Sequence, residues 1–199
     1  MLNKARIAVL VSGGGTNLQA LIDAQAAGII KSGEITLVIS NKAGAYALER
    51  AVNAGIRTET VLKSEHADFE GRLIELLDGD GIDLIVLAGF MSILSERFTK
   101  HYENRIINVH PSLIPSFCGE GFYGLRVHRA ALDYGVKVTG ATVHFVNEIP
   151  DGGKIIMQKA VEILPDDTPE ALQKRVMEQA EWIILPMSAE KVCNEIISK

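Results

Sequence analysis

The sequence predicts a single α/β domain with a mostly parallel, twisted sheet, helices on both faces and an antiparallel hairpin near the C-terminus. Three observations indicate this fold class. Up to residue 137, short β-rich apolar runs alternate with amphipathic stretches, which is the rhythm of a parallel sheet. Beyond it, two strand-like runs are joined by a link too short for a crossover helix. The length of 199 residues and the 47% apolar content fit one globular core.

The predicted elements follow one another in a Rossmann-like order. An apolar run at 6–11 predicts the first strand, and the segment up to Gly28 has a helical apolar face. Further strands are predicted at 34–40, 58–62, 83–88, 105–109, 141–145 and 155–161. Helical patterns lie between the parallel strands at 46–54, 69–77 and 95–102. A closing helix is predicted over 168–185, capped by Thr168 and interrupted by Pro186, with a further short helix beyond.

Composition narrows the classes of function. The net charge is −5 and no basic stripe is present, so a nucleic-acid partner is not expected. No apolar run reaches the roughly 18 residues that a membrane span needs. The N-terminus has no signal-peptide pattern, and Cys118 and Cys193 have no metal or redox spacing. These features predict a reduced, cytoplasmic setting.

A glycine-rich stretch, SGGGTN, follows the first predicted strand. Its backbone N–H groups and the helix N-terminus behind them favour an anion. The groups available are those of Gly13, Gly14, Gly15, Thr16 and Asn17. The third glycine of a dinucleotide fingerprint is replaced by Leu18, and the Gly-Lys-Ser/Thr of a P-loop is missing. The stretch predicts a site for a phosphate monoester, with a tight turn that binds nothing as the alternative.

A second polar motif, NVHP, ends the fifth predicted strand. Asn108 and His110 point to the same face of that strand. An imidazole can move protons near neutral pH, and an amide can stabilise an oxyanion, so the pair favours direct attack of a substrate amine on a carbonyl. Asp151 of the DGG turn is the candidate carboxylate beside the imidazole. A structural histidine and an ordinary hairpin turn are the alternatives. His101 and His110 do not have zinc-ligand spacing, so no metal is expected.

Together these motifs resemble the folate-dependent formyltransferase family over nearly the whole chain. The matching segments include VSGGGTNLQALIDA, LAGFMSILS, INVHPSLIPSF and DGGKIIMQKAV. SGGGTN is similar to the branch of the family that formylates glycinamide ribonucleotide. The resemblance implies formyl transfer from 10-formyltetrahydrofolate, as co-substrate, to the ribonucleotide amine in purine (IMP) biosynthesis. It also implies small-molecule ligands, no metal, and a monomer or homodimer.

The resemblance implies a role for each site residue. Asn108, His110 and Asp151 would be catalytic, and Asp151 would raise the pKa of His110. The substrate phosphate and ribose would be held by Gly13, Gly14, Gly15, Thr16, Asn17 and Glu181. The folate would contact His66, Phe90, Met91, Ser92, Ile93, Leu94 and Asn108. Thr142 and His144 would support the site from a neighbouring strand.

The chain departs from the family pattern on the folate side. Many relatives have Arg at the position of Ser92, and His66 stands where another basic residue is usual, so the folate tail is expected to be held differently. The loop at 116–126 is expected to be a mobile lid over the folate, and His128 to be structural. Within one domain, 1–199, the phosphate-binding half is predicted at about 1–105 and the folate-binding and catalytic part at about 85–199.

Other functions remain open at this point. A formyltetrahydrofolate deformylase would use water as acceptor, but usually has an extra N-terminal domain. A methionyl-tRNA formyltransferase would need a C-terminal domain to grip tRNA, and sugar-nucleotide formyltransferases lack the SGGGTN loop. A non-catalytic phosphate- or nucleotide-binding module would keep the glycine loop without explaining the amide, imidazole and carboxylate.

Overall fold

A computed structural model describes residues 4–199, which form a seven-stranded sheet. The strands are β1 (Ala5–Val11), β2 (Gly33–Ser40), β3 (Arg57–Thr60), β4 (Leu84–Leu87), β5 (Ile106–His110), β6 (Val138–Phe145) and β7 (Ile155–Glu162). Their order is β3-β2-β1-β4-β5-β6-β7. The first five strands pair in parallel, β6 is antiparallel to β5, and β7 is antiparallel to β6. The predicted fold class is confirmed; residues 1–3 lie outside the described part of the chain.

Helices cover both faces of the sheet. They are α1 (Thr16–Ala26), α2 (Tyr46–Asn53), α3 (Phe69–Gly79), α4 (Glu96–His101), α5 (Leu125–Tyr134), α6 (Pro169–Val176) and α7 (Trp182–Ile197). Alternate residues of β1 point to two hydrophobic cores: Ile7 and Val9 pack with α1 and α7, whereas Ala8 and Leu10 pack with α3 and α4. This two-sided burial is why β1 is a continuous apolar run. Within residues 4–199, no helix has the length and apolar character to cross a bilayer.

One helix differs from the sequence prediction. The segment Leu125–Tyr134 is α5, where only a long loop was expected. Three glycines precede it, and the helix buries only a narrow face that includes Val127 and Ala131, so its helical pattern is short. Gly135, in a left-handed conformation with φ of 83°, ends the helix.

The closing helix is also interrupted at a different place. Thr168 caps α6 by accepting a hydrogen bond from the Ala171 N–H, as predicted. The interruption, however, is a π turn at Met177–Glu181, and Pro186 lies inside α7. Pro186 is the fifth residue of α7, and its missing N–H removes one helical hydrogen bond, to the carbonyl of Trp182.

Candidate active site

The polar motifs meet at one edge of the sheet. Leu10 of β1 pairs with Leu87 of β4, and Leu87 pairs with Asn108 of β5. Because these strands are parallel, the segments that follow them leave from the same edge. The SGGGTN loop, the AGFM segment and the NVH motif are therefore neighbours.

The antiparallel pairing of β5 with β6 brings two pairs of side chains together. Asn108 lies opposite His144, and His110 lies opposite Thr142. Asn108 Nδ2 donates to His144 Nε2 at 3.3 Å, and His144 Nδ1 donates to the Phe145 carbonyl at 2.8 Å. The second N–H of the Asn108 amide is left for a ligand.

Asp151 lies within reach of both imidazoles. It has a positive φ of 57° in the turn before β7, and its Oδ2 accepts a 2.8 Å hydrogen bond from the Gly119 N–H. The same oxygen is 3.4 Å from His110 Nδ1, and Oδ1 is 3.5 Å from His144 Nε2. The predicted amide, imidazole and carboxylate therefore form one cluster, which is joined by His144.

Burial dominates the electrostatics of His110, which is 4% exposed. Desolvation lowers the pKa of His110, whereas the Asp151 carboxylate and the Phe117 carbonyl, which accepts from Nε2 at 2.9 Å, raise it. The net pKa lies below the ordinary value of a histidine. Asp151 thus acts in the expected direction, but burial outweighs it. For Asp151, burial is the largest single influence and raises the pKa; the adjacent His144 and His110 imidazoles and the hydrogen bond from the Gly119 N–H together lower it.

Thr142 supports the turn that follows His110. Its Oγ1 donates to the Ser112 carbonyl at 2.7 Å and accepts hydrogen bonds from the Ile114 N–H at 3.1 Å and Gln158 Nε2 at 3.0 Å. These bonds shape the NVHPSL turn, so Thr142 acts on the site through the backbone.

The loop between β5 and α5, which is predicted to be a mobile lid, contacts the cluster. It supplies the Phe117 carbonyl to His110 and the Gly119 N–H to Asp151. His128, on α5, is fully buried, and burial followed by the nearby charge of His110 lowers its pKa to about 4. His128 is therefore neutral at pH 7, and neither of its ring nitrogens has a hydrogen-bond partner among residues 4–199.

The SGGGTN loop is held in shape by α2. Gly15 has a φ of 73°, and a Cβ atom there would lie 2.6 Å from Ala47 Cβ, so this position requires glycine. The Ala47 N–H donates to the Gly13 carbonyl at 3.0 Å, and Arg50 Nε donates to the Gly14 carbonyl at 2.8 Å. At Gly13 and Gly14, by contrast, a Cβ would meet nothing within 4 Å and φ is not positive. The fold leaves the backbone at these two glycines open to a ligand.

The π turn places Glu181 beside this loop. Asn17 Nδ2 donates to Glu181 Oε2 at 2.8 Å, and the Thr16 hydroxyl faces Met177 Sδ at 3.9 Å. Glu181 is 6% exposed, and burial raises its pKa to about 7, against the lowering effect of the Asn17 hydrogen bond. A buried carboxyl that titrates near neutral pH is a characteristic of ligand sites.

A cavity of about 140 Å³ opens beside the cluster. The predicted residues among those that line it are Phe90, Ser92, Ile93, Leu94, Asn108, His144 and Asp151. Sequence reasoning missed the rest of the wall, which is Leu87, Val146, Asn147, Glu148, Ile149 and Pro150. Most of these lie in the link between β6 and β7, and their position directly before Asp151 was the available signal.

Two predicted folate residues do not line this cavity. Met91 is 55% exposed, and its N–H donates to Ser12 Oγ at 2.8 Å. His66 lies in the loop that precedes α3.

A larger cavity, about 420 Å³, lies between α1 and the start of α7. It shares only Thr16 with the predicted site residues, and none of Asn108, His110 and Asp151 lines it, so we assign the site by its chemistry and not by cavity size. In the part of the chain that the structure describes, no group of three or more His, Cys, Asp or Glu residues is arranged to hold a metal ion.

Comparisons with known proteins identify the relatives of this site. The formyl transferase family model matches residues 5–187. The phosphoribosylglycinamide formyltransferase of Haemophilus influenzae is 43% identical over 185 residues, which cover 92% of this chain and 84% of that protein. The trifunctional purine biosynthetic protein adenosine-3 of Gallus gallus is 44% identical over 96% of this chain, which spans only 19% of that longer protein. The crystal structure of glycinamide ribonucleotide transformylase 1 from Symbiobacterium toebii superposes with a TM-score of 0.90 at 41% identity, covering 96% of this chain and 89% of that one.

Proposed function

The chain belongs to the formyl transferase family, and from that premise we propose that it is a phosphoribosylglycinamide formyltransferase. It transfers the formyl group of 10-formyltetrahydrofolate to the amine of glycinamide ribonucleotide, a step of de novo purine (IMP) biosynthesis. The observation that carries this proposal is the clustering of Asn108, His110 and Asp151 at the sheet edge that also holds the glycine loop and the 140 Å³ cavity. We propose a cytoplasmic setting, with small molecules as substrates.

The glycine loop supports binding of the ribonucleotide phosphate. Gly13 and Gly14 have open space where other residues carry a side chain, so an anion can approach their N–H groups at the start of α1. Asn17 orients Glu181 beside them. In its ionised form Glu181 can accept hydrogen bonds from the ribose hydroxyls, which places the glycinamide amine toward β5.

The cavity supports binding of the folate. Its volume of about 140 Å³ is less than the roughly 300 Å³ at the lower end of sites that enclose a whole drug-sized ligand, so we expect it to hold the ring head of the folate. Apolar side chains from Phe90 to Leu94 can pack on a flat ring, and backbone groups of this segment can read its edge. Ile93, which is 78% exposed, offers apolar surface to the rest of the co-substrate.

The transfer needs no covalent intermediate on the protein. The amine nitrogen attacks the formyl carbon, and the carbonyl electrons move to the oxygen, where the free N–H of Asn108 donates to the oxyanion. The amine gives up a proton and N10 of the folate gains one. The bond from the carbon to N10 then breaks, the carbonyl reforms, and tetrahydrofolate leaves.

His110 carries the proton between the two nitrogens. Because burial lowers its pKa, His110 is largely neutral at pH 7 and can accept the proton from the attacking amine. The imidazolium that forms lies 3.4 Å from the Asp151 carboxylate, which stabilises it until it gives the proton to N10.

The test is a turnover assay with purified protein, glycinamide ribonucleotide and 10-formyltetrahydrofolate, in which the change in folate absorbance monitors the reaction. Product should form only when both substrates are present. His110→Ala should lower kcat by a factor of about 100 to 10,000 because it removes the proton carrier. His101→Ala is the matched control, since His101 is an exposed histidine on α4 paired with Asp78.

Other results would overturn the proposal. Equal product without the ribonucleotide would make water the acceptor and the protein a deformylase. Binding of the ribonucleotide without any turnover would leave a binding module. Unchanged kcat in His110→Ala would remove His110 from the mechanism.

A further inference from the structure

A chain of hydrogen bonds links the glycine loop to the cavity through Asn41, at the end of β2. Ser12 Oγ donates to Asn41 Oδ1 at 2.7 Å, and Asn41 Nδ2 donates to Ser92 Oγ at 2.9 Å. The Met91 N–H donates to Ser12 Oγ at 2.8 Å, so the same serine also holds the AGFM segment. The mechanism above assigns no role to Asn41 or Ser12.

These bonds have a direction. A serine hydroxyl has one hydrogen to donate, and Ser12 gives its hydrogen to the Asn41 carbonyl oxygen while it accepts from the backbone. The Asn41 amide nitrogen is then turned toward Ser92, which it can only approach as a donor. Among residues 4–199, the hydrogen of the Ser92 hydroxyl has no acceptor, and Ser92 lines the 140 Å³ cavity.

The cavity has few other side-chain donors. Asp151 and Glu148, on the same wall, are carboxyl groups, which are acceptors when ionised. His144 Nδ1 donates to the Phe145 carbonyl, and the one N–H that Asn108 has left after its bond to His144 is assigned to the oxyanion. The other side-chain amide on this wall is Asn147, whose Oδ1 accepts from the Ile149 N–H. A ligand acceptor in this cavity therefore has the Ser92 hydroxyl as one of its few partners.

We propose that Asn41 is a positioning residue that holds the Ser92 hydroxyl so that its hydrogen is donated to a carbonyl or carboxylate oxygen of the folate co-substrate. The inference rests on the proposed function, because it takes the folate as the occupant of the cavity. Ser92 makes the contact, and Asn41 and Ser12 determine the direction in which the hydroxyl points.

A double-mutant cycle tests this arrangement. Ser92→Ala removes the donor. Asn41→Asp keeps the acceptor for Ser12 but presents a second carboxylate oxygen to Ser92, which draws the serine hydrogen away from the cavity. Each change should weaken tetrahydrofolate binding, measured by calorimetry, and raise the KM for 10-formyltetrahydrofolate, both by about fivefold to tenfold. The kcat and the KM for glycinamide ribonucleotide should stay within about twofold.

The tetrahydrofolate affinity of the double variant, Asn41→Asp with Ser92→Ala, is the decisive measurement. The double variant should bind tetrahydrofolate no more weakly than Ser92→Ala alone, because Asn41 acts through Ser92. If the new carboxylate merely repelled the folate, Asn41→Asp would weaken tetrahydrofolate binding by the same factor in the Ser92→Ala variant as in the wild type. That result would show the proposal to be wrong. Ser64→Ala and Asn53→Asp, at exposed positions, are the matched controls.

A conservative variant at position 92 tests the proposal without changing Asn41, so the result does not depend on whether Asn41→Asp folds correctly. Ser92→Thr retains the hydroxyl and should bind tetrahydrofolate within about twofold of the wild type. Equal affinity of the Ala and Thr variants would overturn the proposal.

Binding and turnover separate this proposal from the assigned function. A wild-type protein that binds tetrahydrofolate but does not formylate the ribonucleotide would overturn the function, while the cycle would still decide the role of Asn41. A wild-type protein that does not bind tetrahydrofolate would overturn both.

Discussion

The glycine loop and the catalytic cluster lie at the same edge of the sheet but are built in different ways. The loop is one contiguous stretch, 12–17, and α2 holds its carbonyl groups through Ala47 and Arg50. The cluster is assembled from β5, β6 and the turn before β7, through side chains that are up to 43 residues apart in the chain, from Asn108 to Asp151. The function of the glycine loop therefore depends on the shape of its backbone, and the function of the catalytic cluster depends on where charges and protons are placed.

This difference predicts which kind of substitution damages each region. A methyl group in the wrong place should disturb the loop, whereas removal of one charge at constant shape should disturb the cluster. The following predictions test that contrast.

Asp151→Asn should have the largest effect. The amide can still accept from the Gly119 N–H, so the turn should keep its shape, but it cannot stabilise an imidazolium at His110. We expect kcat to fall by about a thousandfold, within the range for loss of proton-transfer assistance, with the KM for the folate within about threefold. Because loss of the carboxylate lowers the pKa of His110 further, any acid limb of the kcat profile should move to lower pH.

The matched control is Asp133→Asn, which neutralises an exposed carboxylate on α5. A thousandfold loss in both variants would indicate a general effect of charge, and unchanged kcat in Asp151→Asn would show that shape alone maintains the cluster.

Glu181→Gln should make the folded protein more stable at pH 8 and weaken its binding of the ribonucleotide. The pKa of Glu181 is raised from 4.5 to about 7 in the folded protein, so the folded state holds this proton more tightly than the unfolded state. Its contribution to stability is therefore complete at low pH and is lost as the pH rises from 4.5 to about 7, which amounts to roughly 3 kcal/mol. A glutamine does not ionise and can still accept from Asn17. We expect urea midpoints of the two proteins to agree at about pH 4 and to favour the variant at pH 8, while the KM for the ribonucleotide rises.

Glu178→Gln, at an exposed position of the same π turn, should show no such pH dependence. A stability difference between wild type and Glu181→Gln that is constant with pH would contradict the buried, titrating carboxyl.

Two glycines of one loop should respond in opposite ways. Gly15→Ala strains a positive φ and places a methyl group against Ala47, so we expect a loss of about 2 kcal/mol in the free energy of unfolding. Gly13→Ala meets no atom within 4 Å, so stability should change by less than about 0.5 kcal/mol. Its methyl group should instead obstruct the phosphate and raise the KM for the ribonucleotide. Equal loss of stability in the two variants would show that the open space at Gly13 serves packing and not a ligand.

The central strands β1, β2 and β4 were predictable from the sequence because they are apolar on both faces and are separated by helices. The helix α5 was missed because the glycines before it dominate the segment and its apolar face is short. No local pattern distinguishes a π turn from an α-helical turn, so the interruption before Trp182 was assigned to Pro186 instead.

The site was predictable where its residues are contiguous or two apart on one strand. The net direction of the pKa shift of His110 was not predictable from the sequence, because desolvation depends on neighbours from other elements of the fold. The cavity wall at 147–150 was missed for a similar reason: a link between strands has no periodicity to show which way it folds back.

The smallest expected effect tests whether α2 guides the loop by geometry or by charge. Arg50 donates to the Gly14 carbonyl at 2.8 Å from Nε and to Gln19 Oε1 at 3.0 Å from Nη1, which needs a planar fork. Arg50→Lys keeps the charge but cannot make both bonds in this geometry. We therefore expect the KM for the ribonucleotide to rise by about threefold and the free energy of unfolding to fall by less than about 1 kcal/mol. Arg72→Lys, at a partly exposed position of α3, is the control. An unchanged KM would mean that Gly15 and Ala47 alone determine the loop, which would make its shape a property of backbone packing without any help from a side chain.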